Sequence, residues 1–324
     1  MMKWHHWWAT LVTLLALGVT WGGSPQRAVA ASTHRLQVVT TFYPVYDFTK
    51  AVVGNRADVS VLIPAGTEPH DFEPTAREVA RMSRADMVIY TTKYMATWMD
   101  ALKPSLQDDH TTLVAAGKGI PLISTRDEMN AQDALLVQEH RQEAGYFGGG
   151  GAKDPHVWLD PVNAVTMVRN IERAVCRKDP RNAAYYRQNA RRYIGQLQEL
   201  NREYRRAFAG CHSRTFITQH AAFGYLARRY GLHQITIAGI SDNEEPSPQR
   251  LALLHQYIRR THTPVLFAEA DASQQIARTL AHDTQVRVRP LNPLESLTTT
   301  EMRHGANYLT VMRANLQELK HAIH

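Results

Sequence analysis

Short apolar runs alternate with longer segments of helical pattern along most of this chain. In the first half, four apolar runs bounded by polar sequence predict β-strands at residues 36–41, 59–63, 87–90 and 112–115. The second half repeats this pattern at residues 215–218, 235–238, 265–268 and 286–288. Strands that alternate with helices are typical of parallel βαβ units with right-handed crossovers. We therefore predict an α/β protein of two Rossmann-like lobes, each a parallel sheet flanked by helices.

The longest helical pattern lies between the two halves. Residues 182–209 contain no proline and one glycine, and apolar residues recur there at helical spacing: Tyr186, Ala190, Tyr193, Leu197, Leu200 and Tyr204. A helix of this length spans about 42 Å at 1.5 Å per residue. Just before it, Asp160-Pro161 predicts an N-cap and first turn of another helix, which runs to about Arg177. We expect one long, stiff helix to join the lobes.

The first thirty residues have the order of a secretory signal peptide: a basic start, an apolar run over residues 7–21 and an Ala28-Val29-Ala30 cleavage site. An uncleaved membrane anchor is the alternative. We predict a signal peptide at 1–30, an N-terminal lobe at 31–180, the linker helix at 181–210 and a C-terminal lobe at 211–324. The predicted cleavage site has no cysteine for lipid attachment, so we expect a periplasmic protein, or one held at the cell surface by other means.

The chain has a formal net charge of +7, but its basic residues are scattered. A nucleic-acid interface would gather them on one face with aromatic residues between them, so we expect no nucleic-acid partner. The two cysteines, Cys176 and Cys211, lie at opposite ends of the long helix. Because a disulfide needs Cα atoms within about 7 Å, we predict that both thiols are unpaired.

Three histidines stand in settings that suit metal binding. His70 lies in a loop stiffened by three prolines, just past a predicted strand. His156 is preceded by Asp154, whose carboxylate can fix the tautomer of a ligating imidazole. His220 lies two residues past a strand, before a helix predicted over residues 221–230. In open α/β sheets ligands bind outside the carboxyl ends of the strands, which is where His70 and His220 lie.

Two carboxylates follow strands in the same way, Glu269 after 265–268 and Glu295 after 286–288. Three imidazoles and one carboxylate suit a borderline ion such as Zn²⁺, whereas Ca²⁺ and Mg²⁺ prefer oxygen alone. The glycine-rich segment 120–153 lacks the strand and Lys-Ser/Thr of a phosphate-binding loop, so we predict a flexible loop there.

Six motifs together resemble the metal-binding receptors of bacterial ABC importers for zinc and manganese, a group that includes the streptococcal adhesin lipoproteins. They lie at residues 40–48, 69–74, 154–161, 219–232, 239–247 and 291–295. The resemblance covers nearly all of the chain beyond residue 30. It implies two lobes joined by one long helix, with the metal in the cleft between them.

By this resemblance His70 and His156 are the metal ligands from the first lobe, and His220 and Glu295 those from the second. Glu269 is then a neighbour of the site. Manganese members of the family tend to carry a carboxylate where this chain has His220, so the ligand set favours Zn²⁺. The resemblance also implies an importer permease and its ATPase as partners, and we expect a monomer.

Three other functions remain open. A manganese receptor of the same importer class is the nearest alternative. A zinc hydrolase would need an open coordination position and a general base, but no H-E-x-x-H pairing occurs. We therefore expect no enzymatic activity. An adhesin role has no exposed repeat or cell-binding motif to support it.

Overall fold

The computed structural model describes residues 35–106, 110–136, 152–241, 244–269 and 274–324. The predicted signal peptide at 1–30 lies outside the described residues. Within these ranges no helix has both the length and the apolar character that crossing a membrane requires.

The first lobe is built on a four-stranded parallel sheet. Its strands are β1 (Leu36–Thr40), β2 (Ala57–Val61), β3 (Met87–Tyr90) and β4 (Thr112–Ala115), in the order β2-β1-β3-β4. The helices between and after them are α1 (Tyr43–Val53), α2 (Ala76–Ser83), α3 (Met99–Leu106) and α4 (Thr125–Leu136). α2 begins with a capping box, in which Thr75 and Glu78 satisfy each other's backbone N–H groups.

Two helices follow the first sheet: α5 (Pro161–Lys178), which belongs to the first lobe, and the long helix α6 (Ala183–Phe208), which leads to the second. Short 3₁₀ helices precede them at Val157–Leu159 and Pro180–Asn182. The Asp160 side chain accepts a hydrogen bond from the Val162 N–H, which confirms the predicted cap of α5. All six apolar positions predicted along α6 are buried. This long helix packs against α1 and α5 of the first lobe.

The second lobe repeats the architecture of the first. Its parallel strands are β5 (Thr215–Thr218), β6 (His233–Thr236), β7 (Val265–Ala268) and β8 (Arg287–Pro290), in the order β6-β5-β7-β8. Its helices are α7 (Gly224–Tyr230), α8 (Pro248–Thr261), α9 (Gln275–Thr284), α10 (Thr299–Arg303) and α11 (Tyr308–Leu319). α6 packs against α7 and α11 as well, so it contacts both lobes. The prediction of two parallel-sheet α/β lobes joined by a long helix is confirmed.

One hydrophobic core continues from lobe to lobe. Phe48 of α1 and Tyr308 of α11 meet edge to face, with ring centroids 4.8 Å apart. Trp158 is fully buried in the same cluster and packs edge to face on Phe42 at 4.9 Å. Such aromatic pairs add about 1 kcal/mol beyond the area they bury. The lobes are therefore joined by packing as well as by the chain.

The structure corrects several predicted boundaries. α4 forms within the segment 120–153 that we predicted to be a loop, while residues 137–151 lie outside the described part. α7 begins at Gly224 rather than at residue 221, because the residues just after β5 form the loop that carries His220. β6 begins at residue 233, two residues early, since His233 pairs with Thr215 across the sheet. Both cysteines are free thiols, as predicted.

Candidate metal centre

Loops after the parallel strands carry most of the predicted ligands. His70 lies in the loop after β2, His220 follows β5, and Glu295 follows β8. His156 immediately precedes the 3₁₀ helix Val157–Leu159. The carboxyl ends of parallel strands open onto one edge of each sheet, so these loops converge between the lobes.

The four predicted ligands lie together. Their nearest ligand atoms are all within 4.8 Å of one another. The Nε2 atoms of His70 and His156 are 3.1 Å apart. Glu295 Oε1 lies 3.0 Å from His156 Nε2, 3.4 Å from His70 Nε2 and 3.6 Å from His220 Nε2. Three imidazole nitrogens and one carboxylate oxygen thus face a common point.

The spacing of these atoms fits a four-coordinate transition-metal ion. Zinc bonds of about 2.0–2.2 Å place tetrahedral ligand atoms about 3.3–3.6 Å apart. Four of the separations between ligand atoms in the cluster are 3.0, 3.1, 3.4 and 3.6 Å. Buried His220 Nε2 has no hydrogen-bond partner among the described residues, which is unfavourable unless another group completes the site. A cation bound among the four would satisfy it.

Two of the histidine rings place their Nδ1 atom, which points away from the cluster, against a carboxylate. Asp154 Oδ1 lies 2.8 Å from His156 Nδ1, as the sequence suggested. Glu269 Oε1 lies 2.5 Å from His220 Nδ1. Each carboxylate accepts the Nδ1–H and so leaves Nε2 free to bind a metal. Glu269 was expected to be a neighbour of the site, and it supports a ring rather than facing the common point.

Hydrogen bonds across the lobes fix the loop that carries Glu295. Trp158 Nε1 donates to the Pro293 carbonyl oxygen at 2.8 Å, and the Tyr308 hydroxyl donates to the Trp158 carbonyl oxygen at 2.6 Å. Leu294, which stands between Pro293 and Glu295, has φ +61°, a left-handed conformation that is strained for a branched residue. Its N–H donates to the Asn292 side chain. The loop is thus held by Trp158, which Tyr308 anchors in turn, and by the side chain of its own Asn292.

Burial and the neighbouring groups shift the pKa values of His70 and Glu295 in opposite directions. Burial lowers the pKa of His70, and the hydrogen bond and charge of Glu295 oppose this only in part. Burial alone would raise the pKa of Glu295, but the three imidazoles around it hold that pKa well below its usual value. Glu295 therefore remains a carboxylate, as a metal ligand requires.

The pKa values of His156 and His220 are raised, unlike that of His70, because each of these two rings has two carboxylates beside it. Burial acts to lower the pKa of His156, but Asp154 and then Glu295 outweigh it and the pKa is raised. For His220, burial is opposed by Glu269 and by Glu295, and the pKa is raised well above its usual value. A cation that binds here must displace protons from these rings.

The four candidate ligands differ in their exposure to solvent. The side chains of His156 and His220 are 0% and 1% exposed, whereas those of His70 and Glu295 are 9% and 8% exposed. A cavity of about 420 Å³ lies beside Glu295, between Tyr43 of α1 and the loop after β8. Glu295 is thus the member of the cluster that lines this cavity.

Sequence reasoning missed Glu128 of α4, which lies next to Asp154. The residues Ser124-Thr125-Arg-Asp-Glu128 are typical of a helix start, with a hydroxyl residue followed by acidic residues in the first turn. That signal would have identified α4. No local pattern would have placed Glu128 beside Asp154.

Known families and proteins resemble this chain over most of its length. A family model described as zinc-uptake complex component A, periplasmic, matches residues 38–322. The zinc-binding protein AdcA of Streptococcus pyogenes serotype M6 is 39% identical over 311 residues, which are 96% of this chain but only 60% of AdcA. The high-affinity zinc uptake system protein ZnuA of Bacillus subtilis is 38% identical over 322 residues, covering 99% of this chain and 98% of ZnuA.

The fold also matches solved structures. The crystal structure of the Zn(II)-bound ZnuA-like domain of Streptococcus pneumoniae AdcA superposes with a TM-score of 0.75 at 38% identity. The match covers 89% of this chain and 99% of that domain. These similar proteins are named for zinc binding and uptake rather than for catalysis, as we expected of a receptor.

Proposed function

The chain belongs to the family of periplasmic zinc-uptake complex A components, and we propose that it is an extracytoplasmic receptor that captures Zn²⁺ for an ABC-type importer. His70, His156, His220 and Glu295 are its proposed metal ligands. The observation that carries this proposal is the convergence of three imidazole Nε2 atoms and one carboxylate oxygen within 4.8 Å, at a buried place between two lobes.

The chemistry of the donor set supports zinc over manganese. Three nitrogens and one oxygen suit a borderline ion that accepts four-coordinate geometry. Mn²⁺ prefers more oxygen ligands, and Glu269 is already engaged with His220 Nδ1. Four protein ligands leave no open position for a reacting water, which favours holding the ion over chemistry on it.

The proposed delivery follows from the two-lobed fold. Ligands from both lobes bind one ion, so metal binding ties the lobes together. The loaded receptor then docks on a membrane permease that a cytoplasmic ATPase drives. We propose that the protein acts in the periplasm or at the cell surface, as a monomer.

Competitive titration of metal-stripped protein with Zn²⁺ and Mn²⁺ together tests this function. We expect one Zn²⁺ per chain, little Mn²⁺ and a raised melting temperature, because a ligand at 100 times its Kd stabilises the fold by about 2.7 kcal/mol. His220→Ala should abolish most of the affinity and the thermal shift. His282→Ala is the matched control, since that side chain is 85% exposed. Unchanged zinc binding in His220→Ala would refute the ligand assignment.

A further inference from the structure

Two carboxyl groups whose oxygens are buried neighbour each other behind His156. One belongs to Asp154 and the other to Glu128 of α4. Among the described residues, no donor reaches Glu128 Oε1, Glu128 Oε2 or Asp154 Oδ2. Asp154 Oδ1, in contrast, accepts from both the backbone N–H and Nδ1 of His156, each at 2.8 Å. Two adjacent buried carboxylates, both ionised and without donors on these oxygens, would be strongly unfavourable.

We propose that Glu128 is protonated in the native protein and donates a hydrogen bond from its carboxyl group to Asp154 Oδ2. One proton then satisfies the orphaned oxygen of Asp154 and the protonated oxygen of Glu128 together. The resulting chain runs from Glu128 through Asp154 to Nδ1 of His156 and ends at the Nε2 that faces the proposed metal. Glu128 is a positioning residue for the site.

The proton belongs on Glu128 rather than on Asp154. Asp154 Oδ1 already accepts from two N–H groups of His156, so Asp154 is the acceptor of the pair, whereas no group among the described residues donates to Glu128. Glu128 instead packs closely against Gly224, where an added Cβ would overlap its carboxyl oxygen. Burial, then the charge of Asp154, raises the pKa of Glu128 well above its usual value.

The charge of the site agrees with this assignment. Glu295, Asp154 and Glu269 already place three carboxylates on or directly behind the proposed ligands. A divalent cation with three neutral imidazoles balances two of those charges. A fourth carboxylate at Glu128 would add a further uncompensated charge in a buried region, whereas a neutral carboxyl group adds none.

Glu128 is held in place by the docking of α4 on the second lobe. Arg250 of α8 donates to Asp133 Oδ1 at 2.7 Å, and Gln132 Oε1 accepts from the Thr236 N–H at 3.0 Å. These contacts lie within two turns of Glu128 on the same helix. The position of Asp154 is therefore coupled through α4 to the second lobe.

Infrared spectroscopy of the metal-free protein tests the proton directly. At neutral pH, the difference spectrum between the wild type and Glu128→Gln should show the loss of a C=O stretching band of a protonated carboxyl group. Loss of carboxylate bands alone would overturn the proposal. This measurement needs no metal, so its outcome is independent of the proposed zinc function.

Zinc affinity tests the positioning role, and this part rests on the proposed function. Glu128→Leu removes the donor and should weaken zinc binding about tenfold, at the low end for groups behind metal ligands. Glu128→Gln keeps an N–H donor for Asp154 Oδ2 and should bind close to the wild-type value. Circular dichroism and thermal melting check that both variants fold. Equal affinity in all three proteins, or equal weakening by both substitutions, would overturn the positioning role.

Discussion

At the scale of single residues, the proposed site depends on carboxylates that do not themselves face the proposed metal position. Asp154 and Glu269 each accept from an Nδ1 atom, at 2.8 and 2.5 Å, and so direct the Nε2 atoms of His156 and His220 inward. Partners of this kind set both the tautomer and the basicity of a metal-binding imidazole. Removing one of them should weaken binding without removing a ligand.

Glu269→Ala is expected to weaken zinc binding about 10- to 100-fold, because His220 loses the group that orients its ring. Isothermal titration against a competing chelator measures the change. Asp283→Ala is the control, since Asp283 is an exposed acidic residue in the same lobe. An unaltered Kd in Glu269→Ala would mean that His220 needs no such support.

Protonation of the histidines gives zinc binding a definite pH dependence. Metal binds the deprotonated ring, and the pKa values of His156 and His220 are raised by their carboxylate partners. Affinity should therefore fall as the pH decreases, beginning at a higher pH than the ordinary histidine value of about 6.5 would give. Titrations from pH 8 to pH 5.5 measure this. An affinity independent of pH over that range would contradict a histidine site.

At the scale of secondary-structure elements, α4 connects the two lobes. It follows β4 of the first lobe in the chain, yet its residues Gln132 and Asp133 bind Thr236 and Arg250 of the second. Arg250 is 3% exposed and also donates to the Thr236 carbonyl oxygen. Burial lowers the pKa of the Arg250 guanidinium, and the charge of Asp133 opposes this. α4 thus links the first lobe, through the chain, to the second lobe, through these buried contacts.

Arg250→Met should destabilise the protein by about 3 kcal/mol, because it leaves Asp133 without its buried partner. Urea denaturation of the metal-free protein measures the loss. Arg313→Met is a suitable comparison, since Arg313 pairs with Glu203 at 3.0 Å but is 43% exposed, and such pairs contribute about 1 kcal/mol or less. Equal losses in the two variants would mean that α4 is not anchored through Arg250.

The strands and the long helix could be predicted from the sequence, but the docking of α4 could not. Short apolar runs and the stripe along α6 are local signals, and they give the elements within one or two residues. Gln132 and Thr236 are 104 residues apart in the chain, so their hydrogen bond has no local signature. For the same reason, position in the sequence alone made both Glu269 and Glu295 candidate ligands. Each follows a strand, and only the folded chain shows which one faces the three Nε2 atoms.

At the scale of the whole molecule, a continuous core limits how the lobes can move. α6 packs against helices of both lobes, and aromatic residues such as Phe48 and Tyr308 meet across them. A wide hinge opening would expose these buried rings to water at a cost of about 2 kcal/mol for each. Metal capture should therefore involve a small tilt or a local rearrangement near His70, whose side chain is 9% exposed.

X-ray absorption spectroscopy at the zinc edge, on protein loaded with one Zn²⁺ per chain, reads out the ligands of the bound ion themselves. The spectrum should show four nitrogen or oxygen ligands at about 2.0–2.2 Å, with the outer-shell scattering of three imidazoles. A bond from zinc to a free thiol, Cys176 or Cys211, would instead measure about 2.3 Å. A sulfur shell, a six-oxygen shell or fewer than three imidazoles would contradict a site built from His70, His156, His220 and Glu295.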